Sequence, residues 1–414
     1  MSVRSYLINL KNAINQKTIK LPYTFVTGNQ SADVDSVISS ITYAYLTHNL
    51  KTPQQYIIPL INVPKADLKL RRDIIRVLET YHNITEDLLY FVEDFDNFIS
   101  ESINSKVLQK TELSLVDHNG LQGVEINKSY DEGYLKVVGI IDHHADEGKF
   151  LNASPRIIRS CGSNSSLVFQ YFYNLKQNNE QFWVDNKDVI ELLIAPLLID
   201  TSNMTQKVEE PDLEVFDIYK KILSVTKSQI IASQIPTQSN TNQVDLFYKE
   251  IKKAKKDLSG FAFIDILRKD YKQFKFLKGD NIGFSSIGKP LKWVVESYTK
   301  EEILKTLSDS LKLNRIDLLV ITSSYTVKDT NEYRREFCYY YEGINAVYEI
   351  LDDLVETQLS LNNQVYGGDE IDPVLEYVNS ASIDNVGHFK IYNQVNIHAS
   401  RKQVVPIVKE ALEK

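Results

Sequence analysis

Val137-Val138-Gly139-Ile140-Ile141-Asp142-His143-His144-Ala145-Asp146 decides how this chain is read. An apolar run, interrupted by one glycine, passes straight into a carboxylate and two imidazoles. The apolar part fits a strand buried on both faces, as in a parallel sheet. The Asp-His-His triplet then stands at the strand's carboxyl end, where open α/β sheets place their ligand sites. A single His on an apolar face is more often a satisfied core residue. Two adjacent His after an Asp, at a strand mouth, point instead to a metal or phosphate site. The triplet gains weight from repetition elsewhere in the chain.

Upstream, residues 23–27 read as a short strand, followed by a polar loop that carries Asp33 and Asp35. Val34, Val37, Ile38, Ile41 and Tyr45 recur at helical spacing, so a helix begins near Asp35. One Asp suffices as a helix cap; two, separated by one residue, can converge on a hard cation. Residues 56–61 read as a strand and 67–81 as a helix. The strand at 113–116 ends in Asp117-His118-Asn119, a second Asp-His terminus. Gly162-Ser163-Asn164-Ser165-Ser166 opens a helix through Leu167, Val168 and Phe172. Ordinary capping accounts for these small polar residues, although such backbone N–H groups also bind phosphate. An apolar helix over 189–199 ends in Asp200.

A parallel sheet brings such termini into one crevice and packs Asp33, Asp35, Asp117, Asp142, His143, His144 and Asp200 together. Without cations the cluster repels itself and raises its own pKa values. Two divalent cations resolve this: two-metal sites activate water and clamp an in-line phosphoryl displacement. Mixed carboxylate and imidazole ligation suits magnesium, manganese or cobalt. Neither Cys161 nor Cys338 sits in a metal-ligand pattern.

At 414 residues the chain is long enough for two or three domains, at about 150 residues each. With 43% hydrophobic and 25% charged residues it reads as ordinary globular protein. No apolar run is long enough to span a bilayer, and no secretory leader is read at the start. Two cysteines cannot make a disulfide framework, which fits a reducing compartment. The first 32 residues hold Arg4, Lys11, Lys17 and Lys20 and no acid. An amphipathic first helix using Leu7, Leu10 and Ile14 is preferred there over a mitochondrial transit peptide. The expected location is the cytoplasm, with a minor mitochondrial pool left open, and the expected state is a monomer. A net charge of −8 argues against non-specific nucleic-acid binding but not against an anionic substrate met by metals and local basic residues.

Residues 233–242 are polar and without hydrophobic period, the best linker between a first domain, 1–232, and a second, 243–414. The second half is locally basic and has strands near 316–321 and 337–341 and helices near 301–311 and 346–361. Close to its end stands Ser400-Arg401-Lys402, followed by Pro406. Arg forks onto phosphate oxygens and Lys supplies a point charge. The expected architecture is α/β throughout: a mainly parallel sheet flanked by helices, then a smaller α/β domain, with the active site in the cleft between them.

Taken together, these motifs resemble the DHH phosphoesterase superfamily, named for the triplet at 142–144, and the Ser-Arg-Lys end resembles the companion domain of its second subfamily. Within it the chain resembles the yeast-type cytosolic exopolyphosphatases; the related family II inorganic pyrophosphatases are typically shorter. The resemblance implies that Asp33 and Asp117 hold one metal and that Asp35, Asp117, His143 and Asp200 hold the other. Asp117 would bridge them and orient the nucleophilic hydroxide. His144 would contact the phosphate under attack or its leaving oxygen. Arg401, Lys402 and Lys272 would bind phosphate oxygens, and Asp142 would orient a neighbouring imidazole. Pyrophosphatases of the family begin the first motif with His, where this chain has Asn29. Asn29 is either a neutral ligand of the first metal or only a cap of its loop, and an amide here fits the exopolyphosphatase branch. The implied activity is release of orthophosphate from the end of inorganic polyphosphate. The alternatives are a pyrophosphatase, a short-chain polyphosphate or nucleotide phosphohydrolase, or an interaction protein on a degenerate fold.

Overall fold

The computed structural model describes residues 1–50, 55–176, 179–226, 228, 230, 243–276, 279–343, 348, 350–362 and 387–414. The chain forms two compact units, Met1–Asp257 and Leu258–Lys414. The expected linker, 233–242, lies outside the described residues. The helix Gln243–Lys256, expected in the second domain, belongs to the first unit. Its Phe247, Tyr248 and Ile251 are buried in that unit's core, and Asn203 Nδ2 donates to its Asp245 at 2.7 Å. The lysine-rich flank hides this apolar face in the sequence.

The first unit is built on strands β1 (Thr24–Thr27), β2 (Ile58–Ile61), β3 (Tyr90–Phe91), β4 (Thr111–Val116), β5 (Leu135–Asp142) and β6 (Arg156–Ile158). They pair in the order 3-2-1-4-5-6, every pair parallel. The order reverses between β1 and β4, and open sheets bind ligands in the crevice outside that switch point. Asp33, Asp35, Asp117 and Asp142 stand at or just past the ends of β1, β4 and β5, so strand order gathers these four, while Asp200 comes from the end of a helix. All residues of β1 and β2 and the last four of β5 are buried, as the apolar run of β5 requires.

Gly139 has a packing reason. Leu113 pairs with Val137 but Ser114 with Gly139, so Val138 is a bulge. A Cβ on Gly139 would come within 2.9 Å of Ser114 Oγ and 3.3 Å of Tyr43 Oη. Past the bulge, Leu115 and Val116 pair with Ile140 and Ile141, which brings Asp117 and Asp142 out side by side.

The helix expected over 67–81 is broken into a 3-10 turn (Lys65–Leu70), one α-turn (Arg72–Ile75) and a π-helical turn (Arg76–Tyr81). Arg71 lies between the first two with φ −110° and ψ 63°. Its buried guanidinium donates to the carbonyls of Ser31 and Ala32, at 2.7 and 2.8 Å. The side chain therefore braces the loop that carries Asp33, at the expense of a regular helix. The first helix, Val3–Asn15, is amphipathic as expected, with Val3, Tyr6, Leu7, Leu10 and Ala13 buried. Among the described residues no helix is long and apolar enough to cross a membrane.

The second unit has strands β7 (Tyr271–Lys275), β8 (Asn281–Ile287), β9 (Leu318–Thr326), β10 (Tyr333–Glu342), β11 (Leu361–Asn362) and β12 (Gly387–Gln394). Their order is 11-12-10-9-8-7, with β8 and β9 parallel and the other pairs antiparallel. Side chains alternate across a strand. Leu319 and Ile321 therefore pack with helices Phe263–Lys269 and Lys300–Asn314 on one face. Leu318 and Val320 pack with Ile350–Leu359 and Arg401–Glu413 on the other. A sheet covered on both faces explains the continuous apolar run in β9.

Candidate metal centre

Asp117 is the hub of the site. It is buried and sits just past β4 with φ 62°, a left-handed conformation that Asp tolerates better than most residues. Its N–H donates to Ile141 O at 3.0 Å. Its Oδ2 accepts from Ser36 Oγ at 2.6 Å and Asn29 Nδ2 at 2.7 Å. Its Oδ1 faces His143 Nε2 at 3.2 Å and His144 Nδ1 at 3.8 Å. Ligand atoms of Asp117, His143 and His144 lie within 4.8 Å of one another, a spacing one cation can span.

The two imidazoles are oriented by different partners. His143 Nδ1 lies 3.0 Å from Cys161 O, which only accepts, so Nδ1 carries the proton and Nε2 is directed at Asp117. This is the usual support of a metal-bound imidazole. His144 Nδ1 donates to Asp142 Oδ1 at 2.8 Å. Asp142 is itself fixed by the His143 N–H at 2.8 Å and by Asn119 Nδ2 at 2.5 Å. The side chain of His143 is 15% exposed and that of His144 is 31% exposed. The more buried ring suits a cation and the more open ring a substrate. Asp142 touches no other carboxylate among these contacts and orients His144. Burial opposes its ionisation, but the His144 hydrogen bond and charge outweigh burial and hold it at about 2.

Asp35 opens the helix Val34–Leu50. Its carboxylate accepts from Asn164 N at 2.6 Å, Ser165 N at 2.9 Å, Ser163 Oγ at 3.0 Å and Ser39 Oγ at 3.1 Å. Ser163 stands at the start of the helix Asn164–Leu175 but makes no side-chain cap bond, so the ordinary capping expected there is absent; its hydroxyl and the first helical N–H groups go to the site carboxylate Asp35 instead. Asp33 Oδ1 accepts from Ser36 N at 3.0 Å. Asp200 ends the helix Lys187–Asp200, and its Oδ2 is buried without a hydrogen-bond partner. The chain leaves Asp200 through Ser202, Asn203 and Met204, each with φ between 50° and 61°. Such strain persists where the surroundings over-determine it, often at functional sites.

The charges show that these acids are neighbours. Burial and then the Asp117 charge push Asp35 up to about 7. Burial followed by Asp35 and Asp33 raises Asp200 well above the carboxylate range. Burial disfavours the imidazolium of His143, yet its hydrogen bonds to Asp117 and Cys161 raise it overall. The expected upward shift appears at Asp35 and Asp200 but not at Asp117 and Asp142, which the imidazoles hold down despite burial, and the donor set is hard oxygen plus imidazole nitrogen. The orphaned Asp200 oxygen and the oriented His143 Nε2 fit divalent cations.

Asn29 stands beside Asp117 as a hydrogen-bond donor. Its Oδ1 accepts from Ser31 N at 2.9 Å while its Nδ2 donates to Asp117. Reversing the amide would set its oxygen against the Asp117 carboxylate. Asn29 caps its loop and orients Asp117. In the second unit, Arg401 Nη1 donates to Asp270 O and Nη2 to Asp270 Oδ1, both at 2.7 Å. This brings Arg401, at the start of the helix Arg401–Glu413, to the segment that continues into Lys272. Lys402 is exposed. Sequence reasoning missed Ser36, Arg71, Asn119 and Ser163 as supports, because each acts on a residue far away in the chain.

A model of the DHH family, N-terminal domain, matches residues 23–197, and a DHHA2 domain model matches 249–411. A protein of Schizosaccharomyces pombe (strain 972 / ATCC 24843), provisionally named exopolyphosphatase, is 30% identical over 420 residues, 99% of this chain and 95% of the relative. The chain belongs to the DHH family. This DHH protein is also 23% identical to human "Exopolyphosphatase PRUNE1", over 99% of the chain and 79% of that protein. A manganese-dependent inorganic pyrophosphatase of Methanothrix thermoacetophila is 24% identical over 74% of the chain and 83% of its own length. A Methanococcus jannaschii structure, provisionally a family II inorganic pyrophosphatase, matches the DHH chain's fold. Its TM-score is 0.53 and its identity 21%, covering 94% of this chain and all of that one.

A cation held by His143, Asp35 and Asp200 would have to displace protons from the raised groups. Protons compete with the cation, so affinity for Mn2+ should rise as pH increases from about 6 to 8, with release of about one or more protons per chain. Calorimetric titrations in buffers of different ionisation heat measure this; heats independent of the buffer would contradict it.

Proposed function

We propose that this DHH protein is an exopolyphosphatase, a metal-dependent hydrolase that removes orthophosphate from the end of inorganic polyphosphate. The observation that carries the reading is Asp117, a buried carboxylate facing His143 and His144 within a cluster of further acids. The exopolyphosphatase names of its relatives support the substrate. Asp33 and Asp117 would hold one cation, and Asp35, Asp117, His143 and Asp200 the other. Bound magnesium, manganese or cobalt supplies positive charge to phosphate oxygens and makes water a nucleophile near neutral pH. Asp117 would orient that water. His144, held by Asp142, contacts the phosphoryl group and can give its proton to the leaving oxygen. Lys272, Arg401 and Lys402 bind the non-reacting phosphates.

Phosphate release from long polyphosphate, tripolyphosphate, pyrophosphate and ATP, with each cation in turn, tests the assignment. Long polyphosphate should be turned over fastest. Preference for pyrophosphate would assign the chain to the other branch, and no release from any of the four would remove the enzymatic reading.

Asn29 bears on that preference. Asn29→His offers an imidazole nitrogen where an amide now donates to Asp117. Binding of Mn2+ or Co2+ should tighten by roughly ten- to a hundredfold, and pyrophosphate hydrolysis should rise relative to polyphosphate. Parallel Co2+ and Mg2+ titrations of the two proteins would show that position 29 does not govern the centre.

A further inference from the structure

Asp212 lies outside every motif described above. It is completely buried, in the first turn of the helix Glu210–Val225. Its Oδ2 accepts from Glu209 N at 2.9 Å and Gly162 N at 2.7 Å. Its Oδ1 accepts from Ser166 Oγ at 2.7 Å and Ser163 N at 3.3 Å. Capping of its own helix explains only the Glu209 bond. The other three cross to the 162–166 turn, which supplies Ser163 Oγ, Asn164 N and Ser165 N to Asp35. The same turn is tied to the residue after Asp200. A Cβ on Gly162 would come within 2.6 Å of Thr201 Cγ2 and of Lys207 O, so only glycine fits between them.

The geometry points to Asp212 as a positioning residue of the metal centre, acting through the 162–166 turn on Asp35. This rests on the two-metal reading proposed above. The role demands a carboxylate. All four groups around Asp212 donate, three of them backbone N–H groups that cannot turn to accept. Asp212→Asn has the same shape, yet in either orientation it sets an NH2 against at least one of those N–H groups.

The test is calorimetric Mn2+ titration of the full-length protein and its variants, with circular dichroism to verify folding. Asp212→Asn should bind Mn2+ roughly ten- to a hundredfold more weakly at one site. Excess Mn2+ should restore its turnover, with KM for polyphosphate unchanged. Ser166→Ala, which removes one bond and spares the carboxylate, should weaken Mn2+ a few-fold and serves if Asp212→Asn does not fold. Val215→Ala, in the same helix and equally buried but without a polar contact, should lower the unfolding temperature and keep normal Mn2+ affinity. Normal affinity in folded Asp212→Asn or Ser166→Ala would overturn the inference, as would equal weakening in Val215→Ala. If the unmodified protein bound no Mn2+, the metal reading would fail first and this inference with it.

Discussion

Asp117→Asn should lower turnover by about a thousandfold or more while the protein stays folded. The side chain keeps its size, so the packing between β4 and β5 is unchanged. Its chemistry changes at both oxygens. Oδ2 accepts from Ser36 Oγ and Asn29 Nδ2, and Oδ1 faces His143 and His144. An amide must turn its NH2 either toward the Asn29 donor or toward the imidazoles and the cation. The first leaves buried donors opposed, at a cost of about 1–3 kcal/mol; the second removes a ligand. Either way the negative charge that would join two cations is lost. Turnover and Mn2+ titration on purified, folded Asp117→Asn protein measure the effect. Near-normal turnover would show that Asp117 is not the bridge.

Arg401→Ala should raise KM for polyphosphate and lower kcat, together about ten- to over a hundredfold in kcat/KM. Charge-assisted bonds to phosphate are worth about 1.5–3 kcal/mol each. In the second unit Arg401 is gripped by Asp270 through both terminal nitrogens. A purely structural ion pair is the competing explanation, and Asp270→Ala separates the two. A structural pair makes both variants equally destabilised with KM unchanged. A phosphate-binding Arg401 makes Arg401→Ala the far more damaging change for KM. Arg401→Lys should rescue only in part, since an ammonium cannot reproduce the fork.

The acids were legible because each follows a strand or helix whose apolar pattern is local. β5 runs into Asp142-His143-His144 and β4 into Asp117 as the sequence pattern requires. The strand order 3-2-1-4-5-6 then supplies what no pattern states, the meeting of these ends at the switch between β1 and β4. What stayed hidden depends on partners distant in sequence. Arg71 breaks a helix that its own neighbours favour, because its guanidinium is used 40 residues away on Ser31. Asn119 looked like the tail of an Asp-His pair, and its hydrogen bond to Asp142 spans 23 residues. Asn29 is readable from sequence as a ligand or a cap; in the structure its Nδ2 donates to Asp117 and its Oδ1 accepts from Ser31 N. The helix Gln243–Lys256 was assigned by the polar segment before it, whereas Phe247, Tyr248 and Ile251 assign it to the first core.

The most direct test of the proposed activity is phosphorus NMR of a long polyphosphate chain during digestion by the Mn2+-loaded protein. Terminal and interior phosphates give separate resonances, so the site of cleavage is read without a coupled assay. Removal from the chain end should make the orthophosphate signal grow from the first minutes as the interior signal shrinks. No transient rise of terminal signal from new mid-length chains should appear. An early rise in terminal resonances ahead of orthophosphate would mean internal cleavage, and an unchanged spectrum would mean no hydrolysis; either would contradict the assignment.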